Sequence, residues 1–121
     1  MATKGIGSDY SAIASADLSA HQYKIVKESA TGVAVASATD LNQVGVLQDK
    51  PTAAGQACNV RWTGLSKVRY GGTVARGDRL TSDANGNAIV ATTGKLILGI
   101  ATVAGVSGDV GTILINPRGV A

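Results

Sequence analysis

Glycine spacing is the feature that most limits the folds open to this chain. Sixteen of its 121 residues are glycine, or about 13%, compared with roughly 7% in average proteins. The glycines separate short runs rich in Val, Ile and Ala rather than forming low-complexity tracts. Glycine tolerates the backbone conformations that tight turns need, and the runs between them have the length of strands. The pattern therefore predicts many short β-strands joined by tight turns.

Several segments predict particular strands. Residues 22–36 alternate apolar and polar side chains around a turn at residues 30–32, which indicates a hairpin. Residues 56–63 and 65–70 predict two further strands on either side of Gly64. In these two segments basic side chains alternate with Val and Trp, so we expect one wet and one dry face.

The remaining segments complete the expected all-β fold. The Asn85-Gly86 pair within residues 83–87 predicts a type I′ hairpin turn, because that turn needs positive φ at both central residues. Residues 44–47 form a short apolar run typical of a buried strand, and residues 110–115 predict a final apolar strand. We expect eight to ten strands and no helix. The predicted fold class is a small single-domain β-barrel or sandwich of short antiparallel strands, because closure removes exposed edges.

The first twenty residues differ from the rest. Residues 1–20 are small and polar, with isolated apolar side chains that fit neither a strand alternation nor a helical stripe. We therefore expect an extended, flexible N-terminal arm at residues 1–20 and a barrel-like body at residues 21–121. An arm can bind a neighbouring protein by adding a strand to an exposed sheet edge. The residues predicted to make this contact are Lys4, Ile6, Tyr10 and Ile13. Deleting residues 2–18 should then abolish binding and leave the body folded.

The sequence predicts no catalytic, cofactor or metal site. Its only histidine, His21, lies at the junction of arm and body, and the eight carboxylates mostly occupy turn positions, where Asp accepts backbone hydrogen bonds. The single cysteine, Cys58, excludes an intrachain disulfide and a multi-cysteine zinc site. An enzyme built on a small β-barrel is accordingly the least favoured function for this chain.

Charge and hydropathy argue against nucleic acid and membrane partners. The net charge of +3 comes from scattered Lys and Arg, with no run of five or six like charges. No stretch approaches the roughly 18 apolar residues of a membrane span, and the N-terminus lacks the apolar segment of a signal peptide. We therefore expect a protein made in a cytoplasm that binds neither nucleic acid directly nor a membrane.

Trp62 is the one tryptophan, and three roles are open to it. It could fill the core, or it could anchor a contact between copies of the chain, because large aromatic residues dominate interface energetics. Together with Tyr70 it could also form the aromatic platform of a carbohydrate-binding module, although two aromatic residues are few for that purpose.

A series of short pieces occurs in order between Gln43 and Ile115: Gly-Val-Leu-Gln at 45–48, Ala-Gly-Gln-Ala at 54–57, Gly-Leu-Ser-Lys-Val at 64–68, Gly-Gly at 71–72, Gly-Asp-x-Leu-Thr-Ser-Asp at 77–83, Gly-Ile-Ala at 99–101 and Gly-Asp at 108–109. In the order and spacing of these pieces, the segment resembles the capsid decoration (cement) proteins of tailed bacteriophages.

The resemblance implies a structural virion protein without enzymatic activity or cofactor. Such a protein, made in the host bacterial cytoplasm, would join the outer capsid surface of the virion as a homotrimer and clamp neighbouring copies of the major capsid protein. The alternatives are another virion accessory part, such as a head fibre base or a tail module, or a carbohydrate-binding β-module.

Overall fold

The computed structural model describes residues 7–117 and 119–121. Within these residues the chain forms nine β-strands and no helix, which confirms the predicted all-β class of short antiparallel strands. In chain order the strands are β1 (Ser8–Ile13), β2 (Ile25–Ser29), β3 (Gly32–Val35), β4 (Gln43–Leu47), β5 (Ala57–Arg69), β6 (Arg79–Ser82), β7 (Ala88–Val90), β8 (Gly99–Ala101) and β9 (Val110–Ile115).

The longest strand, β5, runs through the whole sheet and divides it into two lobes. Its first half pairs with β1 and β4, and its second half, from Gly64 onward, pairs with β9. Gly64 lies at the change of partners with a φ of 94°, in the left-handed region that glycine adopts without a Cβ penalty. The two strands expected on either side of Gly64 are therefore one continuous strand.

The first lobe consists of β1 to β4 and the first half of β5. These strands follow the order β3-β2-β4-β5, with β1 on the other side of β5. The end of β1 then reaches β3 through a bridge between Ala14 and Val33, and the Ser15 N–H donates to the Val33 carbonyl at 2.9 Å. The five strands thus surround one apolar interior. Its buried residues are Ala14, Leu18, Val26, Val33, Leu47, Cys58 and Val60.

This closure corrects the expected arm. Ser8–Ile13 is a strand of the body, and Ala14 and Leu18 are buried at 0% and 4% exposure. The reason is an alternation that places Tyr10, Ala12 and Ala14 against the interior; two of these three side chains are small, so the sequence signal is weak. Lys4 and Ile6 lie outside the described residues.

The second lobe continues from β5 in the order β9-β8-β6-β7. Its core is larger, and Tyr70 is its bulkiest fully buried side chain. The Tyr70 hydroxyl donates to the Val103 carbonyl at 2.7 Å. Gly105 and Gly111 lie against the ring, where a Cβ would collide with it. Burial raises the pKa of Tyr70, so the hydroxyl remains the donor.

Strands β2 and β4 belong to both cores and join the lobes. Ile25 and Val46 pack in the core of the second lobe, whereas the adjacent Val26 and Leu47 pack in the first. Successive strand residues point to opposite faces, so these two strands are buried on both sides. The apolar run predicted as a buried strand at residues 44–47 is thereby confirmed.

The hairpin of β6 and β7 is present, but its turn is not the predicted type I′. Ser82 pairs with Ala88, which leaves a five-residue connection. Gly86 has a φ of 80°, whereas Asn85 is not among the positive-φ residues. The Asp83 carboxylate accepts the N–H groups of Asn85 and Asn87 at 2.8 and 2.9 Å. This aspartate holds a longer loop in place of the two-residue turn.

Candidate functional site

An apolar groove of about 530 Å³ opens at one end of the first lobe. It is lined by Tyr10, Gln43, Val44, Trp62 and Pro117. The indole of Trp62 is the largest exposed apolar side chain beside it, with 48% of the residue accessible. Exposing the large apolar surface of a tryptophan to water is unfavourable, so this groove is the leading candidate for a contact surface.

The register of the strands explains how these side chains meet. Tyr10 pairs with Val60 on β5. Trp62 is two residues beyond Val60 on the same strand, so Tyr10 and Trp62 lie on the same face of the sheet. Beyond the last β5–β9 pair, Gly64 with Ile115, the chain continues to Pro117 at the rim of the groove.

Gly45 allows β4, which carries the lining residues Gln43 and Val44, to approach β5 closely. A Cβ at this position would collide with the Arg61 carbonyl and lie 3.1 Å from the Trp62 Cα. The absence of a side chain at Gly45 therefore lets β4 lie directly against the backbone of β5. The preceding residue, Val44, forms part of the groove lining.

The core interpretation of Trp62 is wrong. Trp62 has the same strand parity as the buried Val60 and Val68, but it lies just before Gly64, where β5 leaves the first lobe. Among the residues that the structure describes, no further strand of that lobe covers Trp62 at this point, and about half of the residue stays accessible. Sequence alternation gives the face of a residue, but it does not reveal where the lobe ends.

The polar groups around the groove are already engaged. The Tyr10 hydroxyl donates to Glu28 Oε2 at 2.6 Å, and burial together with this bond raises the pKa of Tyr10. The Gln43 amide N–H donates to Thr81 Oγ1 at 3.3 Å, and its oxygen accepts the Ser82 N–H at 3.2 Å. The groove is therefore suited to apolar side chains more than to sugar hydroxyls.

The structure does not bring the other predicted contact residues together. Ile13 is 54% exposed but lies on the opposite face of β1 from Tyr10. Tyr70 is 1% exposed and cannot form an aromatic platform with Trp62. Sequence reasoning missed Gln43, Val44 and Pro117. The one signal for Val44 is the neighbouring Gly45, a glycine within the apolar run at residues 44–47.

The surroundings of Cys58 and His21 shift the pKa values of both side chains. Burial raises the pKa of the Cys58 thiol, with Asp49 and Glu28 adding to the effect, so the nucleophilic thiolate is disfavoured. Burial and the nearby Lys24 and Arg69 lower the pKa of His21. In the part of the chain that the structure describes, no group of three or more His, Cys, Asp or Glu side chains is placed to hold a metal ion.

Within the same residues, no helix is long and apolar enough to cross a membrane.

Comparisons with known proteins identify the fold. No known family profile and no curated protein matches the chain. Among solved structures, it is similar to the crystal structure of the head fiber gp8.5 N base in bacteriophage phi29, with a TM-score of 0.69. The similarity covers 90% of this chain and 93% of that chain at 18% sequence identity. The chain thus has the fold of the base of a phage head fibre.

Proposed function

We propose that this chain is a structural protein of a phage virion, and that it serves as the base module of a fibre on the head. The observation that carries the proposal is the shared fold, which spans nearly the whole of both chains. A base module has to bind a shell on one side and a projecting part on the other. Two lobes that are joined by β2, β4 and β5 suit a protein that must carry contacts at more than one surface.

A specific observation keeps a second function in consideration. The motifs between Gln43 and Ile115 resemble capsid decoration proteins, which clamp neighbouring copies of the major capsid protein. Both functions place the protein on the outside of the head, but they differ in arrangement. A cement protein would cover equivalent sites over the whole shell, whereas a fibre base would stand under a projecting density.

Cryo-electron microscopy of particles with and without this protein tests the proposal. We expect particles that lack it to lose projections from the head while the shell keeps its outline. Loss of a continuous layer of small protrusions, with no projections affected, would favour the cement function instead. Unchanged heads would contradict both.

We also propose that the chain associates as a homotrimer with Trp62 at the contact between copies. The support is the exposure of Trp62 beside Val44 and Pro117 in an apolar groove. Light scattering after size exclusion should give three times the chain mass for the wild type and a lower mass for Trp62→Ala. The control is Val90→Ala, an exposed apolar residue on β7; equal masses for all three proteins would sink this assignment.

The contact with the major capsid protein needs a test other than deletion. Removing residues 2–18 would take Tyr10, Ala12, Ala14 and Leu18 from the interior of the first lobe, so lost binding would report unfolding. Ile13 is exposed and can be changed alone. If β1 contacts the shell, Ile13→Glu should weaken shell binding, while the same change at exposed Val120 should not.

A further inference from the structure

The outer face of the second lobe is apolar where an exposed sheet face is normally polar. Along β9, Val110, Thr112 and Leu114 alternate with buried residues and point outward. Leu114 is 38% exposed and Val110 is 53% exposed. Antiparallel sheets with one solvated face usually place polar side chains there. An apolar set at these positions is therefore a candidate contact surface.

Strand register arranges these side chains into a row across four strands. Leu65 on β5 pairs with Leu114 on β9, and Leu114 pairs with Ile100 on β8. Ile100 in turn pairs with Arg79 on β6. Directly paired side chains lie about 5 Å apart, so three apolar residues form a continuous stripe that ends at a guanidinium.

Basic side chains flank this stripe. Lys67 pairs with Thr112 and Arg69 with Val110, in the two rows beside it. The outward positions of β5 from Leu65 onward, and those of β9, β8 and β6, carry no Asp or Glu. The two ion pairs found among the described residues, Lys27 with Asp40 and Arg61 with Asp9, both belong to the first lobe.

The cations of this face make no such ion pair. The Arg69 Nε–H donates to the Gln22 carbonyl at 3.0 Å, and Lys67 Nζ lies 5.8 Å from the centre of the Tyr23 ring. Neither contact neutralises the charge. The face therefore combines a partly exposed apolar stripe with positive charge that no ion pair neutralises, and its electrostatic complement is a surface that carries carboxylates.

We propose that this face, named the basic stripe and defined by Leu65, Lys67, Arg69, Arg79, Ile100, Val110 and Leu114, is the docking surface for an acidic protein surface with apolar side chains between its carboxylates. The assignment rests on the proposed function in taking the phage head shell as the protein that presents this surface. It adds a shell contact on the second lobe to the one tested at Ile13, and it leaves the Trp62 groove free for contacts between copies.

The apolar stripe favours a protein partner over nucleic acid. Contacts with phosphates need cations and gain nothing from leucine and isoleucine, whereas single-stranded nucleic acid needs aromatic side chains on which bases can stack. The basic stripe has no aromatic member, and the Tyr23 ring beside Lys67 is partly buried and packs against the core. Protein interfaces, by contrast, combine an apolar centre with a polar or charged rim, which is the arrangement of Leu114 between Lys67 and Arg79.

The test is cosedimentation of the purified full chain with head shells that lack it, over a series of NaCl concentrations. Lys67→Glu with Arg79→Glu reverses the charge of the basic stripe, and Lys50→Glu with Lys95→Glu makes the same change elsewhere. Leu114→Gln removes the centre of the stripe, and Leu41→Gln is its control, because Leu41 is exposed outside this face at 62%.

We expect the charge reversal to weaken binding at least about tenfold at low salt, since each reversal removes an attraction and adds a repulsion. Its remaining binding should depend less on salt than that of the wild type. Leu114→Gln should weaken binding several-fold. Both control variants should stay within about twofold of the wild type, because they leave the stripe unchanged.

The other outcomes separate this inference from the proposed function. Wild-type binding with undiminished binding of the stripe variants would overturn the docking surface and leave the proposed function standing. Failure of the wild type to bind shells would contradict the proposed function and the partner named with it. Loss of binding to a 30-nucleotide DNA by the stripe variants, with shell binding intact, would assign the face to nucleic acid and overturn the inference.

Discussion

Adding one methyl group at Gly45 should separate β4 from β5 and destabilise the protein. A Cβ at Gly45 would collide with the Arg61 carbonyl and lie 3.1 Å from the Trp62 Cα. These are backbone atoms of a central strand, so they cannot move aside as a flexible side chain can. Gly72 provides the matched control, because the nearest atom to its Cβ would be Ile89 Cγ2 at an ordinary 3.6 Å.

The two substitutions should therefore change stability in opposite directions. Overpacking in a closely packed core costs about 1 to 3 kcal/mol, and Gly→Ala gains about 0.4 to 1 kcal/mol from a less flexible unfolded chain where the site has room. We expect Gly45→Ala to lower the free energy of unfolding by about 2 kcal/mol and Gly72→Ala to raise it slightly. With an m-value of about 1 to 3 kcal/mol/M, the urea midpoint of Gly45→Ala should fall by about 1 to 2 M.

Urea unfolding followed by circular dichroism and by Trp62 fluorescence measures both effects. The fluorescence also reports on the groove, because Trp62 lies against the altered strand. If Gly45→Ala proved as stable as Gly72→Ala, the close approach of β4 to β5 would be refuted, and with it the geometry of the groove wall.

Three further predictions follow from burial and charge. In urea unfolding at protein concentrations low enough for the chain to be monomeric, Trp62→Ala should lower the free energy of unfolding by less than about 1 kcal/mol, and Leu80→Ala, at 0% exposure, by about 3 kcal/mol; equal losses would mean that Trp62 is part of the core. Cys58, buried and with its pKa raised, should react with a thiol reagent only on unfolding, and rapid native labelling would show that the first lobe opens. Burial raises the pKa of Asp40, but hydrogen bonds from Ser37 and the charge of Lys27 outweigh burial and lower the pKa overall. The Asp40 carboxylate therefore stabilises the fold at pH values above its ordinary pKa. This stabilisation is lost as the pH falls through the pKa of Asp40 in the folded protein. Asp40→Asn should therefore cost about 1 kcal/mol at pH 7 and progressively less as the pH falls through the lowered pKa of Asp40, by urea unfolding over a series of pH values; a cost that does not change with pH would refute the ion pair.

The parts of the fold that sequence predicts well are those set by local pattern. The hairpin of β2 and β3 and the last strand, Val110–Ile115, occur where apolar alternation predicts them. The strand Ser8–Ile13 was missed because its inward residues include Ala12, whose small side chain gives little periodic signal. Its place is fixed by distant contacts, namely pairing with β5 and the bridge from Ala14 to Val33.

The candidate sites were less accessible to sequence reasoning than the fold. Trp62 stands out in the sequence as the single tryptophan. Its exposure, however, depends on where β5 changes partners, at Gly64. The basic stripe depends on register, because Leu65, Ile100 and Leu114 are far apart in sequence and meet only through the pairs of β5, β9 and β8. Alternation within a strand does not reveal which strands are neighbours.

The central claim, that this protein is a structural part of a phage head, is tested most directly by quantitative mass spectrometry of density-purified virus particles from the culture that produces it. For a fibre base we expect a fixed copy number of this protein per particle, below that of the major capsid protein. A ratio near one to one would transfer the assignment to the cement function. Absence of the protein from purified particles would contradict the claim.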